Sequence, residues 1–156
     1  MKRALHTLRL FAGALLIVMA FLTISPAAHA APMASAARSV SVTFRNQTTH
    51  PLELTYSQVM SGVWTLHPKM YVSPGEEIYF GTASNGFMTG TSGNVSYIFD
   101  DSTAYWAKYF VIYWNNPFVG SNSYKVNLFG IDGMFHIVRS GGSGNNAQVT
   151  FTLLPN

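Results

Sequence analysis

The chain has 156 residues, of which 48% are hydrophobic, 14% aromatic and only 10% charged. It contains no cysteine, which excludes a disulfide framework and a thiolate metal site. Nine Lys and Arg residues oppose six Asp and Glu residues, giving a formal net charge of +3. So small an excess does not by itself indicate a nucleic-acid-binding protein.

The N-terminal segment has the layout of a secretory signal peptide. Its positive start is followed by the uncharged run Leu10–Ile24, and small residues occupy Ala28 and Ala30. A membrane-spanning helix needs about 20 apolar residues, and Pro26 ends this run earlier. We therefore predict a secreted, extracellular protein, with an uncleaved N-terminal anchor as the alternative. The predicted parts are a signal peptide over residues 1–30, a flexible leader over residues 31–38 and one domain over residues 39–156.

Removal of this signal peptide changes the charge balance. Lys2, Arg3 and Arg9 lie within it, so the remaining chain carries six cations and six carboxylates and is neutral. A nucleic-acid-binding protein should show a basic patch or stripe, and we therefore expect no nucleic-acid partner. A domain of about 120 residues can bury a stable core without disulfides.

Alternating apolar and polar residues recur along the domain, with no helical period between them. Clusters of Gly, Asn, Ser, Asp and Pro separate these runs and supply turns. Short strands with such frequent turns predict an all-β fold, a single antiparallel β-sandwich of about 8–9 strands. The strand signals lie in Val40–Arg45, Leu52–Ser57, Ile78–Phe80, Val95–Phe99, Tyr105–Asn115, Tyr124–Leu128, Met134–Arg139 and Val149–Leu153.

The longest of these runs, Tyr105–Asn115, is largely apolar on both faces. A strand of this kind is either central and covered on both sides, or it displays one aromatic face. The sequence leaves both interpretations open.

No residues with catalytic or metal-ligand spacing are visible. His50 and His67 each precede a proline, and His136 lies in a strand signal. Glu76 and Glu77 are adjacent in sequence, as are Asp100 and Asp101. On a strand, the two members of each pair would point to opposite faces, so neither pair is by itself an acid/base couple. No Gly-x-Ser-x-Gly motif is present, and the glycine-rich segment 86–93 is predicted to be a hairpin connection because no lysine follows its last glycine. We therefore expect a binding protein rather than an enzyme, with no catalytic residue, no metal and no cofactor.

Two segments together resemble a known family. The first is Gly86–Asp100, in which Thr89-Gly90-Thr91-Ser92-Gly93 leads into a strand signal. The second is Tyr113–Asn122, which contains the turn Trp114-Asn115-Asn116-Pro117-Phe118 with glycine, serine and asparagine behind it. The order of these segments is similar to that of the aegerolysins, a family of small β-sandwich proteins, and more distantly to the actinoporin-type cytolysins. The resemblance implies an actinoporin-like β-sandwich.

The same resemblance implies a lipid-binding function. It implies recognition of membranes that contain sphingolipid or sterol and, as in some relatives, haemolysis or pore formation with a larger pore-forming partner protein. Tyr and Trp side chains favour the lipid headgroup boundary because each joins an apolar ring to a polar tip. The residues that the resemblance points to as lipid-binding are Tyr105, Trp106, Tyr109, Tyr113, Trp114 and Phe118.

The sequence also departs from the family. Many aegerolysins carry cysteine in the aromatic turn, where this chain has Asn116. The segment 32–38 is too short and unpatterned for the amphipathic N-terminal helix that actinoporin-like insertion requires. Two alternatives therefore stay open, a secreted carbohydrate-binding (lectin-like) module and a structural protein whose aromatic residues are all buried.

Overall fold

The computed structural model describes residues 37–99 and 108–156. The predicted signal peptide, leader residues 31–36 and the acidic pair at 100–101 lie outside the described residues. No helix long and apolar enough to cross a membrane occurs in those two described ranges. The strands are β1 (Ser39–Asn46), β2 (Leu52–Ser61), β3 (Val63–Leu66), β4 (Tyr71–Val72), β5 (Glu77–Ala83), β6 (Thr91–Phe99), β7 (Tyr109–Asn116), β8 (Ser123–Phe129), β9 (Phe135–Gly141) and β10 (Asn146–Pro155).

The described strands form two sheets packed face to face, and the predicted β-sandwich is confirmed. Sheet A has the order β3-β5-β1-β10-β9, and sheet B has the order β4-β2-β6-β7-β8. The pair β1–β10 is parallel, whereas the other pairs are antiparallel. The sequence did not reveal β3 and β4, because strands of four and two residues are too short to show an alternation.

The core lies between the sheets and follows from period-two alternation in the central strands. In β1, Val40, Val42 and Phe44 point inward, and the side chains between them point to the other face. Tyr97 stacks on Phe44 with ring centroids 5.7 Å apart. Its hydroxyl donates to the Lys69 carbonyl oxygen at 2.8 Å, and burial raises the pKa of Tyr97. The phenol therefore stays protonated at neutral pH and keeps this hydrogen bond.

The glycine-rich segment 86–93 joins the two sheets. The sequence predicted a hairpin here, but β5 belongs to sheet A and β6 to sheet B. The connection therefore crosses one end of the sandwich, and only its last residues, from Thr91 onward, are strand. By contrast, the predicted turn at Ser73-Pro74-Gly75 lies between β4 and β5, where Gly75 has a φ of 74°.

The sequence contains two N-glycosylation motifs, which begin at Asn46 and Asn94. Both asparagines are buried in the folded domain and do not lie in exposed loops. Asn46 is 0% exposed, and its amide donates to the carbonyl oxygens of His50 at 2.8 Å and Ser73 at 3.1 Å. Its side-chain oxygen accepts from the Thr48 hydroxyl at 2.7 Å. Asn94 is 7% exposed on central strand β6. Because Asn46 holds the β1–β2 connection by these bonds, it acts in the folded domain as a structural clamp.

Stability is expected to fall in acid because two surface glutamates are held in their charged form. The hydrogen bond from Lys69 lowers the pKa of Glu76, and hydrogen bonds from Tyr79 and Arg45 lower the pKa of Glu77, both from an ordinary value of 4.5. Their stabilising contribution is complete above that ordinary value and is lost as the pH falls through the lower folded values. The midpoint of urea unfolding should therefore fall as the pH is lowered below about 4.5. Glu76→Gln should show a shallower drop, whereas a midpoint that rises in acid would contradict this account.

Candidate functional site

Three loops meet at one end of the sandwich. They are residues 84–90 between β5 and β6, residues 117–122 between β7 and β8, and residues 142–145 between β9 and β10. Arg38, immediately before β1, ties the first two together. Its Nε donates to the Pro117 carbonyl oxygen at 2.9 Å, and its main-chain nitrogen donates to the Ser84 hydroxyl at 3.1 Å. We call these three loops with Arg38 the loop end.

Close packing within the loop end depends on Gly90 and Asn116. A Cβ at Gly90 would lie 2.6 Å from the Asn116 carbonyl oxygen and 2.7 Å from the Pro117 Cα, so only glycine lets loop 84–90 lie against residues 116–118. The Asn116 amide nitrogen donates to the carbonyl oxygens of Ser39 and Asn145, at 2.9 and 2.8 Å. The position where many aegerolysins carry cysteine therefore clamps the β9–β10 turn to the start of β1.

A cavity of about 680 Å³ opens between the sheets at the loop end. We call it the basic pocket, because Arg38 and Arg139 line it and no acidic side chain of the described residues does. Its other walls are residues 120–124 and the β9–β10 turn at residues 141–145. Burial raises the pKa of Tyr124, against smaller opposing effects of Asn122 and Arg139, so its hydroxyl remains a donor at neutral pH. The pocket is thus polar and positively charged.

A second cavity, of about 570 Å³, adjoins the basic pocket and shares Ser123 and Tyr124 with it. We call it the aromatic groove. It lies on the sheet B side of the loop end, and Tyr113 pairs with Lys125 across β7 and β8 within it. Its lining residues are Met60, Ser92, Tyr113, Trp114, Asn115, Ser123, Tyr124 and Lys125.

Three apolar side chains project from two of the loops at this end. Phe87 is 91% exposed and Val119 is 81% exposed, and Met88 is also exposed with a positive φ of 55°. Exposed apolar residues are ordinary when scattered, but these three lie on adjacent loops beside two cavities. We call them the apolar tips. One signal for them is visible in the sequence, because Phe87 and Met88 interrupt an otherwise small and polar glycine-rich segment.

The structure places Trp114, one of the predicted lipid-binding residues, in the core. Its ring is 2% exposed, and it packs between Trp64 and Phe80 with both ring centroids 5.8 Å away. Its Nε1 donates to the buried Thr82 hydroxyl at 2.9 Å. A side chain enclosed and hydrogen-bonded in this way is part of the core. On the other face of β7, the side chains of Tyr109, Val111 and Tyr113 are partly buried.

The other predicted site residues do not form one cluster. Tyr113 lies in the aromatic groove, and Phe118 lies at the loop end, where the Arg38 guanidinium sits 5.1 Å from its ring centroid. Tyr109 stacks on Phe129 at 4.4 Å near the opposite end of β7. Tyr109 and Tyr113 are four positions apart along the strand, a distance of about 13 Å. Tyr105 and Trp106 lie outside the described residues.

No three His, Cys, Asp or Glu side chains lie close enough to hold a metal ion within residues 37–99 and 108–156. His50 packs edge-on against Phe99 and Phe135, with centroids 5.8 and 5.7 Å away. The loop end presents apolar and aromatic side chains, the guanidinium groups of Arg38 and Arg139, and the ammonium group of Lys125 in the aromatic groove.

Comparison with solved structures places this architecture among known folds. The lipid-binding protein Nakanori matches with a TM-score of 0.62 at 18% identity, over 74% of this chain and 70% of that one. The RahU protein, solved in complex with a TRIS molecule, matches with a TM-score of 0.59 at 17% identity, over 78% of this chain and 98% of that one. Both have folds of the aegerolysin type. The likeness shows the fold alone.

Sequence comparison finds one partial match to a known protein and no family. The chain matches no family model. Over 113 residues it is 30% identical to an uncharacterized protein of Dictyostelium discoideum, a match that covers 72% of this chain. The chain spans about a tenth of that relative's length, since the match covers 10% of it.

Proposed function

We propose that this protein is a secreted membrane-lipid-binding protein of aegerolysin type that acts by binding and not by catalysis. The observation that carries the proposal is the position of the apolar tips, Phe87, Met88 and Val119, on adjacent loops beside the basic pocket and the aromatic groove. The description of Nakanori as a lipid-binding protein supports it through the shared fold.

The physical argument begins with the cost of exposing these side chains. Each large apolar side chain moved from water into a hydrocarbon environment gains about 1.5–3 kcal/mol. Trp114 at this end is buried and Tyr113, Phe118 and Tyr124 are partly buried, whereas Phe87 is left almost fully in water. Membrane insertion of the apolar tips would recover that free energy.

The surroundings of the apolar tips fit the boundary of a bilayer. Tyr113 and Tyr124 offer rings with polar hydroxyls at the level of the two cavities, as residues at the headgroup boundary do. Membranes that contain sphingolipid and sterol are the proposed target, and a pore-forming partner protein is part of the same proposal. This lipid preference follows from the sequence resemblance.

Vesicle binding tests the proposal. Phe87→Ser/Val119→Ser should bind sphingomyelin/cholesterol vesicles at least about a hundredfold more weakly than the wild type, because two apolar insertions are lost. The measurement is co-sedimentation over a range of lipid concentrations. Both side chains are exposed, so we expect the variant to keep its fold, and circular dichroism checks this.

A matched control separates insertion from general surface hydrophobicity. Tyr79→Ser/Val138→Ser also removes one exposed aromatic and one exposed valine, but from β5 and β9 of sheet A. This control should bind vesicles as the wild type does. Equal loss in both variants, or no binding of the wild type to vesicles of any composition, would sink the proposal. Specific retention on glycans without vesicle binding would instead assign the aromatic groove to a sugar.

A further inference from the structure

A trough runs along the outer face of sheet B, over strand β6. Residues that pair across neighbouring strands lie on the same face of a sheet, so the strand register shows what surrounds β6. The floor of the trough consists of the outward-facing residues of β6, which are Ser92, Asn94 and Ser96. The walls are the larger side chains of β2 and β7, namely Tyr56, Gln58, Met60, Val111, Tyr113 and Asn115.

Asn94 lies at the centre of the trough floor. It pairs with Gln58 of β2 and with Tyr113 of β7, and it is only 7% exposed. Within residues 37–99 and 108–156 its side-chain amide makes no hydrogen bond. By contrast, Asn46 and Asn116, the other buried asparagines of those two ranges, both donate to main-chain carbonyl oxygens. Asn94 thus presents a nearly buried and unpartnered amide to the trough.

An amide in this position is expensive unless something binds it. A buried donor or acceptor that is left unpaired destabilises a protein, and buried polar side chains are therefore nearly always hydrogen-bonded. The alternation of β6 keeps Asn94 out of the core, where the neighbouring Val95 is fully buried. Its amide therefore serves the outer face of sheet B, and a ligand in the trough would supply the missing partners.

The walls place aromatic rings beside further polar groups. Tyr56 is 51% exposed, and its hydroxyl donates to the Gln58 side-chain oxygen at 2.8 Å, which leaves the Gln58 amide nitrogen as a donor. On the floor, the Ser96 hydroxyl oxygen accepts from the Thr55 hydroxyl at 3.1 Å. The trough thus combines rings with amide and hydroxyl groups that both donate and accept.

The charge and the strand order of this face narrow the class of ligand. The floor and wall residues carry no charged side chain, so a phosphate or carboxylate group would find no counter-charge there. An extended peptide binds best at a sheet edge, but β6 and β7 are internal strands of sheet B. A polar floor also does not suit insertion into hydrocarbon. These properties favour a neutral ligand with many hydroxyl groups.

We propose that the trough binds a neutral oligosaccharide, as a function separate from membrane binding. A sugar ring has an apolar C–H face that can pack on Tyr56 and Tyr113, and hydroxyl groups that both donate and accept. Asn94 and Gln58 are assigned as the residues that bind those hydroxyl groups. The floor from Ser92 to Ser96 is about 13 Å long, which accommodates more than one sugar unit.

Titration with neutral saccharides tests the proposal. The probes are β-1,4-linked hexasaccharides of glucose, N-acetylglucosamine, mannose and xylose, and isothermal titration calorimetry of the wild-type protein measures binding. At least one probe should bind, and in amide-correlation NMR spectra it should shift the signals of Gln58 and Asn94 but not that of Gly144 at the loop end. Binding by none of the four, or shifts confined to the loop end, would overturn the proposal.

Variants then test the assigned residues with the probe that binds. Asn94→Ala should weaken binding at least about tenfold, because a nearly buried hydrogen-bonding group is lost. Its midpoint of urea unfolding should stay close to that of the wild type, because no hydrogen bond within the described ranges is removed. Unchanged saccharide binding in Asn94→Ala would exclude the assigned site.

An exposed tyrosine provides a second test and a matched control. Tyr56→Ala should weaken binding at least about threefold through loss of ring contact, and it decides the matter if Asn94→Ala does not fold. Tyr79→Ala removes a tyrosine of similar exposure, 56%, from β5 of sheet A and should bind as the wild type does. Equal binding by the two tyrosine variants would contradict a site in the trough.

The apolar tips separate this inference from the proposed function. Phe87 and Val119 lie on loops outside the trough, so Phe87→Ser/Val119→Ser should lose vesicle binding and keep saccharide binding. Loss of saccharide binding in that variant would place the sugar site at the loop end and overturn the inference. Saccharide binding by a wild-type protein that binds no vesicle would leave the trough assignment standing while the proposed function fails.

Discussion

Replacing Trp114 with alanine should destabilise the domain by about 3–5 kcal/mol, the range for truncating a buried tryptophan. The ring fills the space between Trp64 and Phe80, and Gly93 on β6 lies directly against it. A Cβ at Gly93 would approach the ring's Cζ2 to 2.5 Å, which shows how closely backbone and ring are packed. The midpoint of urea unfolding, followed by far-ultraviolet circular dichroism, measures the change.

The neighbouring residue provides the control for this prediction. Tyr113 lies on the outer, partly exposed face of β7. Tyr113→Ala should therefore lower the free energy of unfolding by about 1 kcal/mol or less. If Trp114→Ala does not fold, Trp114→Phe should still lower the midpoint, because the buried Thr82 hydroxyl loses the donor that it now accepts from at 2.9 Å. Equal urea-unfolding midpoints for Tyr113→Ala and Trp114→Ala would mean that the Trp114 ring does not lie in the core.

The same prediction affects how lipid-binding experiments are interpreted. A loss of vesicle binding in Trp114→Ala would reflect a destabilised core rather than a lost contact. Phe87 and Val119 are better probes, because their side chains are almost wholly in water and carry little of the fold. Exposure, and not residue type, therefore decides which aromatic positions can report on a membrane.

Much of the sandwich could be predicted from alternation alone. The run Val40–Arg45 alternates cleanly because β1 is central and one of its faces is buried, and β1 is found at Ser39–Asn46. β3 and β4 carry no such signal because they are short and lie at sheet edges. The parallel pairing of β1 with β10 could not be predicted, because pairing depends on contacts between residues more than 100 positions apart.

The candidate site was less predictable, for a related reason. Period-two alternation shows that Tyr113 and Trp114 face opposite ways, but it does not say which face is the core. The family resemblance directed attention to both residues, and only the packing of Phe80 and Thr82 distinguishes them. Arg38 and Arg139 are a hundred residues apart, and no local pattern could bring them to one cavity.

The connection between the two sheets at Gly62 yields the second large expected effect. Gly62 has a φ of 91°, and the chain passes there from β2 of sheet B to β3 of sheet A. A Cβ at this position would lie 2.2 Å from the Ala83 carbonyl oxygen and 2.9 Å from the Thr91 hydroxyl. Gly62→Ala should therefore cost about 2–5 kcal/mol, the sum of left-handed backbone strain and overpacking.

Gly144 separates those two contributions. Its φ of 86° is nearly the same, but a Cβ there would meet nothing within 4 Å. Gly144→Ala should therefore cost only the strain, about 1–2 kcal/mol, in the same urea experiment. Ala83 pairs with Val63 of β3 and with Ser39 of β1, so its carbonyl cannot move away without disturbing sheet A. Equal unfolding midpoints for Gly62→Ala and Gly144→Ala would contradict this account. They would mean that β5 can shift away from the new Cβ at position 62, and that the β2–β3 connection is packed less tightly than the contacts of Gly62 indicate.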